Sequence, residues 1–137
     1  MNILYCGDKP MQKGILLSSM SLIKNVDEPL NIYILTVDYR EKGINYKPID
    51  KAFAKYLKEK LNKSDIKVNI FLVDVTRYFV EELPEANMQS RFTACCMLRL
   101  FADKTDIKDR VLYLDTDVLC RKDFSDFYYQ NMDGIEI

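Results

Sequence analysis

The sequence contains no histidine and only four glycines, Gly7, Gly14, Gly43 and Gly134, among its 137 residues. Without histidine there is no imidazole to act as a general base, a nucleophile or a metal ligand. The glycines are too far apart to form either the G-x-G-x-x-G fingerprint of dinucleotide-binding folds or the phosphate-binding loop of nucleotide hydrolases. A phosphate site in this chain would therefore need a device other than a glycine-rich loop.

Long apolar runs and paired cysteine motifs are missing as well. No run approaches the roughly 18 consecutive apolar residues of a membrane span, and Met1 leads into an apolar segment with no charged leader region or cleavage site. Cys6, Cys95, Cys96 and Cys120 show no C-x-x-C spacing, which argues against both a zinc site and a disulfide framework. We expect free thiols in a cytoplasmic protein.

Charge of one sign does not dominate either. The 20 Lys and Arg residues nearly balance the 21 Asp and Glu residues, for a net charge of −1. This balance excludes the basic footprint of a nucleic-acid-binding protein. The lysines of residues 40–67 alternate with acidic residues, which is typical of a solvated helix face. With 48% hydrophobic residues, the chain has the size and composition of a single globular domain over residues 1–137.

Segments with strand-like and helix-like spacing of apolar residues alternate along the chain. We predict strands at 2–6, 30–38, 66–75 and 111–120, and helices starting near 11 and 49 and spanning 90–104. The last helix would place Phe92, Cys95, Cys96 and Leu100 on one face. Residues 76–89 are predicted as irregular, 123–130 as a short helix or turn, and "GIEI" at 134–137 as the start of another strand.

This alternation predicts an α/β domain with a largely parallel sheet flanked by helices. In such sheets, ligands bind beyond the carboxyl ends of the strands. Four aspartates follow or end the predicted strands and would form an acidic rim there: Asp8, Asp38, Asp74 and Asp115.

Two aspartates interrupt the apolar segment "VLYLDTDVLC" at residues 111–120. If the strand continues through them, Asp115 and Asp117 point to the same side, because side chains alternate along an extended chain. Neighbouring carboxylates resist ionisation unless a cation lies between them, and hard oxygen ligands favour Mg²⁺ or Mn²⁺. Such an ion keeps positions open for substrate oxygens, commonly those of a diphosphate. The alternative is a turn in which both aspartates are hydrated or cap a helix.

Three segments together resemble family 8 of the glycosyltransferases: "MNILYCGD" at the amino terminus, "MLRLFADK" at 97–104 and "DRVLYLDTDVLCRKDFSDFY" at 109–128. The resemblance implies a Rossmann-like nucleotide-sugar-binding domain of the GT-A fold. It also implies a retaining hexosyltransferase that uses UDP-glucose or UDP-galactose as the donor. The similarity covers nearly the whole chain but only the amino-terminal half of the family's domain. We therefore expect a domain truncated before its carboxyl-terminal half.

The same resemblance implies roles for the residues around the metal. Asp115 and Asp117 would bind Mn²⁺ (or Mg²⁺), with Thr116 between them in the donor site and Asp115 also close to the ribose. Arg99 would reach the diphosphate or the donor sugar and stabilise the departing nucleotide. No nucleophile can be assigned. The family's further metal ligand, a histidine, and its diphosphate-binding lysine belong to the half of the domain that these residues do not include.

At the first strand, the resemblance implies a pocket for the nucleoside. Asp8 would meet the uracil or the ribose, where its carboxylate is a suitable acceptor for the uracil N3–H. Cys6 and Gly7 would line the pocket through their backbone. This chain has Pro10 and Met11 where family members often have a small polar residue and an aromatic one, so a stacking ring for the base is not expected from these positions.

The expected partners are the UDP-sugar donor and a glycan or glycolipid acceptor. An open sheet edge at "GIEI" would allow a homodimer, and parts beyond these residues could attach the protein peripherally to a membrane. Two other functions remain open. One is a haloacid-dehalogenase-type phosphatase, whose D-x-D-x-T motif would need threonine where this chain has Leu119. The other is a non-catalytic α/β module, either receiver-like or a truncated transferase fragment.

Overall fold

Four parallel strands form one central sheet. They are β1 (Asn2–Cys6), β2 (Leu30–Thr36), β3 (Val68–Asp74) and β4 (Leu112–Tyr113). Their spatial order is β3-β2-β1-β4, so β1 is a central strand with β2 and β4 as its neighbours. This computed structural model describes residues 1–41, 43–62, 65–82, 94–107 and 110–134. The predicted α/β class with a parallel sheet is confirmed.

Helices connect the strands. A 3₁₀ turn, Lys9–Met11, leads into α1 (Gln12–Leu22), and α2 (Lys51–Leu61), α3 (Thr76–Glu81), a 3₁₀ helix (Ala94–Lys104) and α4 (Ser125–Tyr128) follow. Helix α3 lies in the segment predicted as irregular. Within the described residues, no helix has both the length and the apolar character needed to cross a membrane.

The apolar face predicted for residues 90–104 is partly wrong. Leu100 is 61% exposed, whereas Cys95, Leu98 and Phe101 are buried. These three residues are spaced by three because the segment is a 3₁₀ helix, in which residues i and i+3 lie on one side. The prediction used the 3.6-residue period of an α-helix. Phe92 and the first residues of the predicted helix lie outside the described residues, as do residues 135–137 of the strand predicted at 134–137.

The side chains of β1 alternate between two cores, one on each face of the sheet. Ile3 and Tyr5 pack on the side covered by α1 and α2, and Leu4 and Cys6 pack on the side covered by α3 and the 3₁₀ helix. All four are almost completely buried. Burial on both faces is the usual state of a parallel strand and explains its continuous apolar sequence. The direction in which β1 delivers the residues after Cys6 is therefore fixed by packing on both sides.

Asparagine side chains link three strands near their amino ends. In the sheet register, Asn2 lies beside Asn31, and Asn31 beside Asn69. Nδ2 of Asn31 donates to Oδ1 of Asn2 at 3.0 Å, and Nδ2 of Asn69 donates to Oδ1 of Asn31 at 3.0 Å. A one-residue slip in either pairing would break these bonds and exchange the core faces of a strand. The ladder thus favours a single register for β1, β2 and β3.

Replacing Asn31 with alanine tests the ladder, because it leaves the amides of Asn2 and Asn69 without their shared partner. We expect a loss of about 1–3 kcal/mol in the free energy of unfolding. It should appear as a lower urea midpoint with an unchanged slope. Asn45→Ala, at an exposed asparagine, is the control and should change stability by less than about 0.5 kcal/mol. Equal stability of N31A and N45A would contradict a stabilising ladder.

Candidate functional site

The carboxyl ends of β1 and β4 bring two of the predicted site residues to one edge of the sheet. Asp8 follows β1 by two residues, and Asp115 follows β4 by two residues. The two strands are paired in parallel, and the pairing continues past β4, where the Leu114 N–H donates to the Leu4 carbonyl at 3.0 Å. Adjacent parallel strands end on the same side, so this edge is the natural place for a ligand.

The other half of the predicted acidic rim is engaged in local contacts. Asp74 accepts hydrogen bonds from the backbone N–H and the hydroxyl of Thr76, which starts α3. Asp38 forms an ion pair with Arg40 at 2.8 Å. The carboxylates of both aspartates are therefore occupied by residues two positions away in the chain. The expected four-membered acidic rim is reduced to its β1 and β4 members.

An open cavity of about 520 Å³ lies beside β2 and β3 and includes Asp50 and Asp74 in its lining. Its carboxylates already have partners, because Asp50 pairs with Lys9 at 2.9 Å and accepts from Gln12 at 3.3 Å. The side-chain bond from Lys9 also lowers the pKa of Asp50. Both carboxylates that line this cavity thus already have partners, and the edge formed by β1 and β4 is the better candidate.

The chain turns at the two neighbouring aspartates instead of continuing as a strand. The Val118 N–H donates to the Asp115 carbonyl at 3.1 Å, which closes a turn over residues 115–118. Val118 and Leu119, whose apolar character suggested a continuing strand, are 41% and 59% exposed. The prediction of a strand through 111–120 was therefore wrong. Asp115 and Asp117 lie on one turn, not on one face of an extended strand.

Helix α1 supports this turn at close range. A Cβ atom on Gly14 would lie 2.5 Å from the carbonyl oxygen of Thr116, closer than such atoms approach in proteins. Beyond the turn, the Cys120 N–H donates to the Ser21 hydroxyl at 2.8 Å. The turn is thus held by β1 on its amino side and by α1 along its length and on its carboxyl side.

A tyrosine connects the predicted arginine and the first aspartate of the pair. The hydroxyl of Tyr113 donates to Oδ1 of Asp115 at 2.6 Å, and Cζ of Arg99 lies 5.0 Å from the centroid of the Tyr113 ring. Arg99 reaches this position from the exposed side of the 3₁₀ helix. A guanidinium at this distance from a ring face is attracted by its negative potential. One cation and one anion are thus held on the same aromatic side chain.

The thiols below this edge are inert. Cys6 is 5% exposed, and desolvation raises its pKa well above the usual value, although nearby Arg99 acts in the opposite direction. Desolvation also raises the pKa of Cys95 to about 12. A thiol nucleophile must be deprotonated, so neither group is suited to attack a substrate. This agrees with the expectation that Cys6 contributes only through its backbone.

Asp8 is a buried carboxylate without a cation. It is 7% exposed, and desolvation raises its pKa, with only its own backbone N–H lowering it. None of the described residues forms an ion pair with it. A desolvated acid with a perturbed pKa beside a strand end is a candidate ligand-binding group. Its environment fits the predicted role of accepting a hydrogen bond from a ligand N–H or hydroxyl.

The carboxylates suit a divalent cation that also uses substrate oxygens. Within the described ranges, no cluster of three Cys, Asp or Glu residues could hold a metal by itself. Asp115 and Asp117 are both exposed, and the Tyr113 hydroxyl uses only Oδ1 of Asp115. Mg²⁺ is commonly held by one or two carboxylates together with substrate phosphates and water. The residues present fit that kind of site and not a closed protein cage.

The structure adds Tyr113 to the residues that sequence reasoning identified. The predicted set lies near the ends of β1 and β4, on the turn and on the 3₁₀ helix: Cys6, Gly7, Asp8, Arg99, Asp115, Thr116 and Asp117. The sequence does contain one indication for Tyr113. It lies two residues before Asp115, and residues at this spacing lie on the same side of a strand. Because Tyr113 belongs to an apolar segment, it was not among the predicted site residues.

Comparison with known families agrees with the geometry. The model for Glycosyl transferase family 8 matches residues 2–135, nearly the entire chain. No curated protein matches the chain.

Gly14→Ala tests the contact between α1 and the turn. Inside a helix, alanine normally stabilises relative to glycine by up to about 1 kcal/mol. Here the new methyl group would strike the Thr116 carbonyl, so we expect the opposite sign and a loss of about 1–3 kcal/mol. Lys13→Ala, at the preceding exposed position of α1, is the control and should not destabilise. Chemical denaturation of both variants gives the measurement. A G14A protein more stable than wild type would show that α1 and the turn are not in close contact.

Asp8→Asn tests the uncompensated burial of Asp8. Because the folded-state pKa of Asp8 is raised above the usual 3.8, ionisation costs more in the folded than in the unfolded state. The contribution of Asp8 to stability is therefore fully present below the unfolded-state value and is lost as pH rises through the folded-state value. We expect the stability of D8N relative to wild type to increase from about pH 3.5 to about pH 7.

Urea midpoints across this pH range measure the effect. Asp65→Asn removes an exposed aspartate and is the control for the loss of one charge. A difference between D8N and wild type that stays constant with pH, or that matches D65N, would show that Asp8 is not desolvated in the folded protein.

Proposed function

The chain belongs to glycosyltransferase family 8, and on this basis we propose that it binds a UDP-sugar with a divalent metal at the edge formed by β1 and β4. Glycosyl transfer is the general activity of the family. The finer proposal is transfer of a hexose, from UDP-glucose or UDP-galactose, to an acceptor hydroxyl with retention at the anomeric carbon. The observation that carries it is the placement of Asp8, Arg99 and Asp115 around the ends of two adjacent strands.

The nucleoside end of the donor is proposed to lie over β1. Asp8 is the acceptor for the uracil N3–H or a ribose hydroxyl, and its burial supports this role because a desolvated acceptor gains most from a ligand donor. The backbone of Cys6 and Gly7 lines the same pocket. The Gly7 N–H is already used by the Leu35 carbonyl at 3.0 Å, so Gly7 contributes as a close backbone surface and not as a donor.

The diphosphate end is proposed to lie between Arg99 and the turn. Asp115 and Asp117 would hold Mn²⁺ or Mg²⁺, which would supply positive charge for the phosphate oxygens and the leaving group. Arg99 would provide a cation for the same oxygens, and Thr116 lies between the two aspartates on the turn. With an arginine and two carboxylates available, the donor site does not require a glycine-rich phosphate loop.

In the proposed reaction, the bond between the anomeric carbon and the diphosphate oxygen breaks. A bond from the acceptor hydroxyl oxygen to the same carbon forms, and the hydroxyl proton passes to an oxygen of the departing diphosphate. Arg99 stabilises the negative charge that develops on the departing UDP. Burial keeps the thiols of Cys6 and Cys95 protonated, so neither is proposed as a nucleophile. In the proposed mechanism the departing diphosphate stays on the face that the acceptor attacks, which requires no protein nucleophile.

The acceptor, the cellular compartment and the oligomeric state are proposed from the resemblance and the composition of the sequence. The acceptor is a glycan or glycolipid, and the protein acts in the cytoplasm without binding nucleic acid. A homodimer through the edge at "GIEI" would involve residues outside the described ranges.

Isothermal titration calorimetry with UDP and Mn²⁺ tests the donor site. We expect wild type to bind UDP only when Mn²⁺ is present, and Asp115→Asn/Asp117→Asn to lose that metal-dependent heat. The matched control is Asp103→Asn/Asp106→Asn, which also removes two exposed carboxylates from one short segment. Because both variants change the net charge equally, a loss confined to the first pair identifies a site and not a general charge effect.

Two outcomes would contradict the proposal. No heat from wild type would refute donor binding, and equal heat from wild type and D115N/D117N would refute the role of the turn. Release of UDP from UDP-glucose or UDP-galactose in the presence of glycan acceptors then separates transfer from binding alone. Metal-dependent binding without any such release would favour a non-catalytic nucleotide-sugar-binding module.

A further inference from the structure

Tyr113 lies between the two charged groups of the candidate donor site. Its hydroxyl is 2.6 Å from Oδ1 of Asp115, and its ring centroid is 5.0 Å from Cζ of Arg99. The tyrosine itself is held by β4, where its neighbour in the sheet register is Leu4 of β1. Asp115 follows a strand end and Arg99 lies on the exposed side of a helix, so both side chains depend on such contacts for a defined position.

The contact with Asp115 is of a strong kind. A hydrogen bond from a phenol to a carboxylate is charge-assisted and shorter than a neutral one. An ordinary phenol has a pKa of about 10, so the hydroxyl carries its proton near neutral pH and can donate. It occupies one oxygen of Asp115 and leaves Oδ2 for another ligand.

The contact with Arg99 uses a different part of the same side chain. The guanidinium lies near the face of the ring, and a ring attracts a cation through its π electrons, with or without a hydroxyl group. The two charged contacts of Tyr113 can therefore be removed separately.

We propose that Tyr113 is a positioning residue of the donor site, whose hydroxyl orients Asp115 toward the metal and whose ring orients Arg99 toward the diphosphate. The inference rests on the proposed function, since it assumes that Asp115 and Arg99 meet a metal and a nucleotide. It assigns to this tyrosine a role that its position in a core strand does not suggest. Tyr113 itself need not touch the substrate.

Tyr113→Phe removes the hydroxyl and keeps the ring. We expect the affinity for Mn²⁺, measured in the presence of saturating UDP from the electron paramagnetic resonance signal of free Mn²⁺, to fall by about 10- to 100-fold. Tyr129→Phe is the matched control, because the Tyr129 hydroxyl donates to Oε2 of Glu28 at 2.5 Å, also as a phenol–carboxylate pair, but away from the site. Y129F should bind Mn²⁺ like wild type.

The ring is tested by combining variants. Arg99→Ala should weaken UDP binding at saturating Mn²⁺ by the same factor in wild type and in Y113F, because phenylalanine still holds the guanidinium. In Tyr113→Leu, which lacks the ring, Arg99→Ala should cost at most about twofold, because Arg99 is no longer held in place. Thermal unfolding of each variant confirms that the comparison is made on folded protein.

The outcomes separate this inference from the proposed function. If wild type fails to bind Mn²⁺ and UDP together, the proposed function falls. If wild type binds but Y113F has the same Mn²⁺ affinity, the orienting role of the hydroxyl is refuted and the donor site stands. If Arg99→Ala costs as much in Y113L as in wild type, the role of the ring is refuted.

A purely structural tyrosine would lower the unfolding temperature of Y113F without changing its Mn²⁺ affinity. If Y113L does not fold, Tyr113→Met, a flexible apolar side chain that also lacks the ring, replaces it in the same comparison with Arg99→Ala.

Discussion

The parallel pairing of β1 with β2 on one side and β4 on the other is the constraint on which the candidate site depends. It sends the residues after Cys6 and the residues after Tyr113 to the same edge of the sheet. The Asn2–Asn31–Asn69 ladder favours the register of β1, β2 and β3 at their amino ends. Because a slip of one residue exchanges the two faces of a strand, a change in register would also displace Asp8.

The site combines a buried side with an exposed side. Asp8 and Cys6 lie at the end of a strand covered on both faces, whereas Asp115, Asp117 and Arg99 are exposed. These environments suit different parts of a ligand. A desolvated acceptor discriminates strongly among hydrogen-bond donors, because an unpaired buried group is costly. Exposed charges can exchange water for a metal and for phosphate oxygens at lower cost, but they need other residues to hold them in position.

The sequence predicted the parallel α/β class and the central strands, because β1 and β2 are apolar runs that pack into the cores on both faces of the sheet. Strand β3, last in the sheet order, is less buried, with Phe71 41% exposed. The prediction from sequence failed where local structure departs from the common periods. The 3₁₀ helix buries Leu98 and Phe101 at a spacing of three, which exposes Leu100. Helix α3 has six residues, too few to show a period, although Asp74 two residues before Thr76 is a typical turn signal.

The turn at Asp115–Val118 was expected only as the alternative to a continuing strand, for a different reason. Val118 and Leu119 are apolar but exposed, and the close approach of α1 at Gly14 is a tertiary contact that no local pattern reveals. Asp115 and Asp117 were expected to converge because side chains alternate along a strand. Since the chain turns at these residues, that argument no longer applies. Their orientation must then come from neighbouring side chains. At Asp115 the described neighbour is Tyr113, which also contacts Arg99. In a chain that lacks both histidine and a glycine-rich loop, the aromatic residue that precedes the aspartates can thus link the anion and the cation of the proposed donor site.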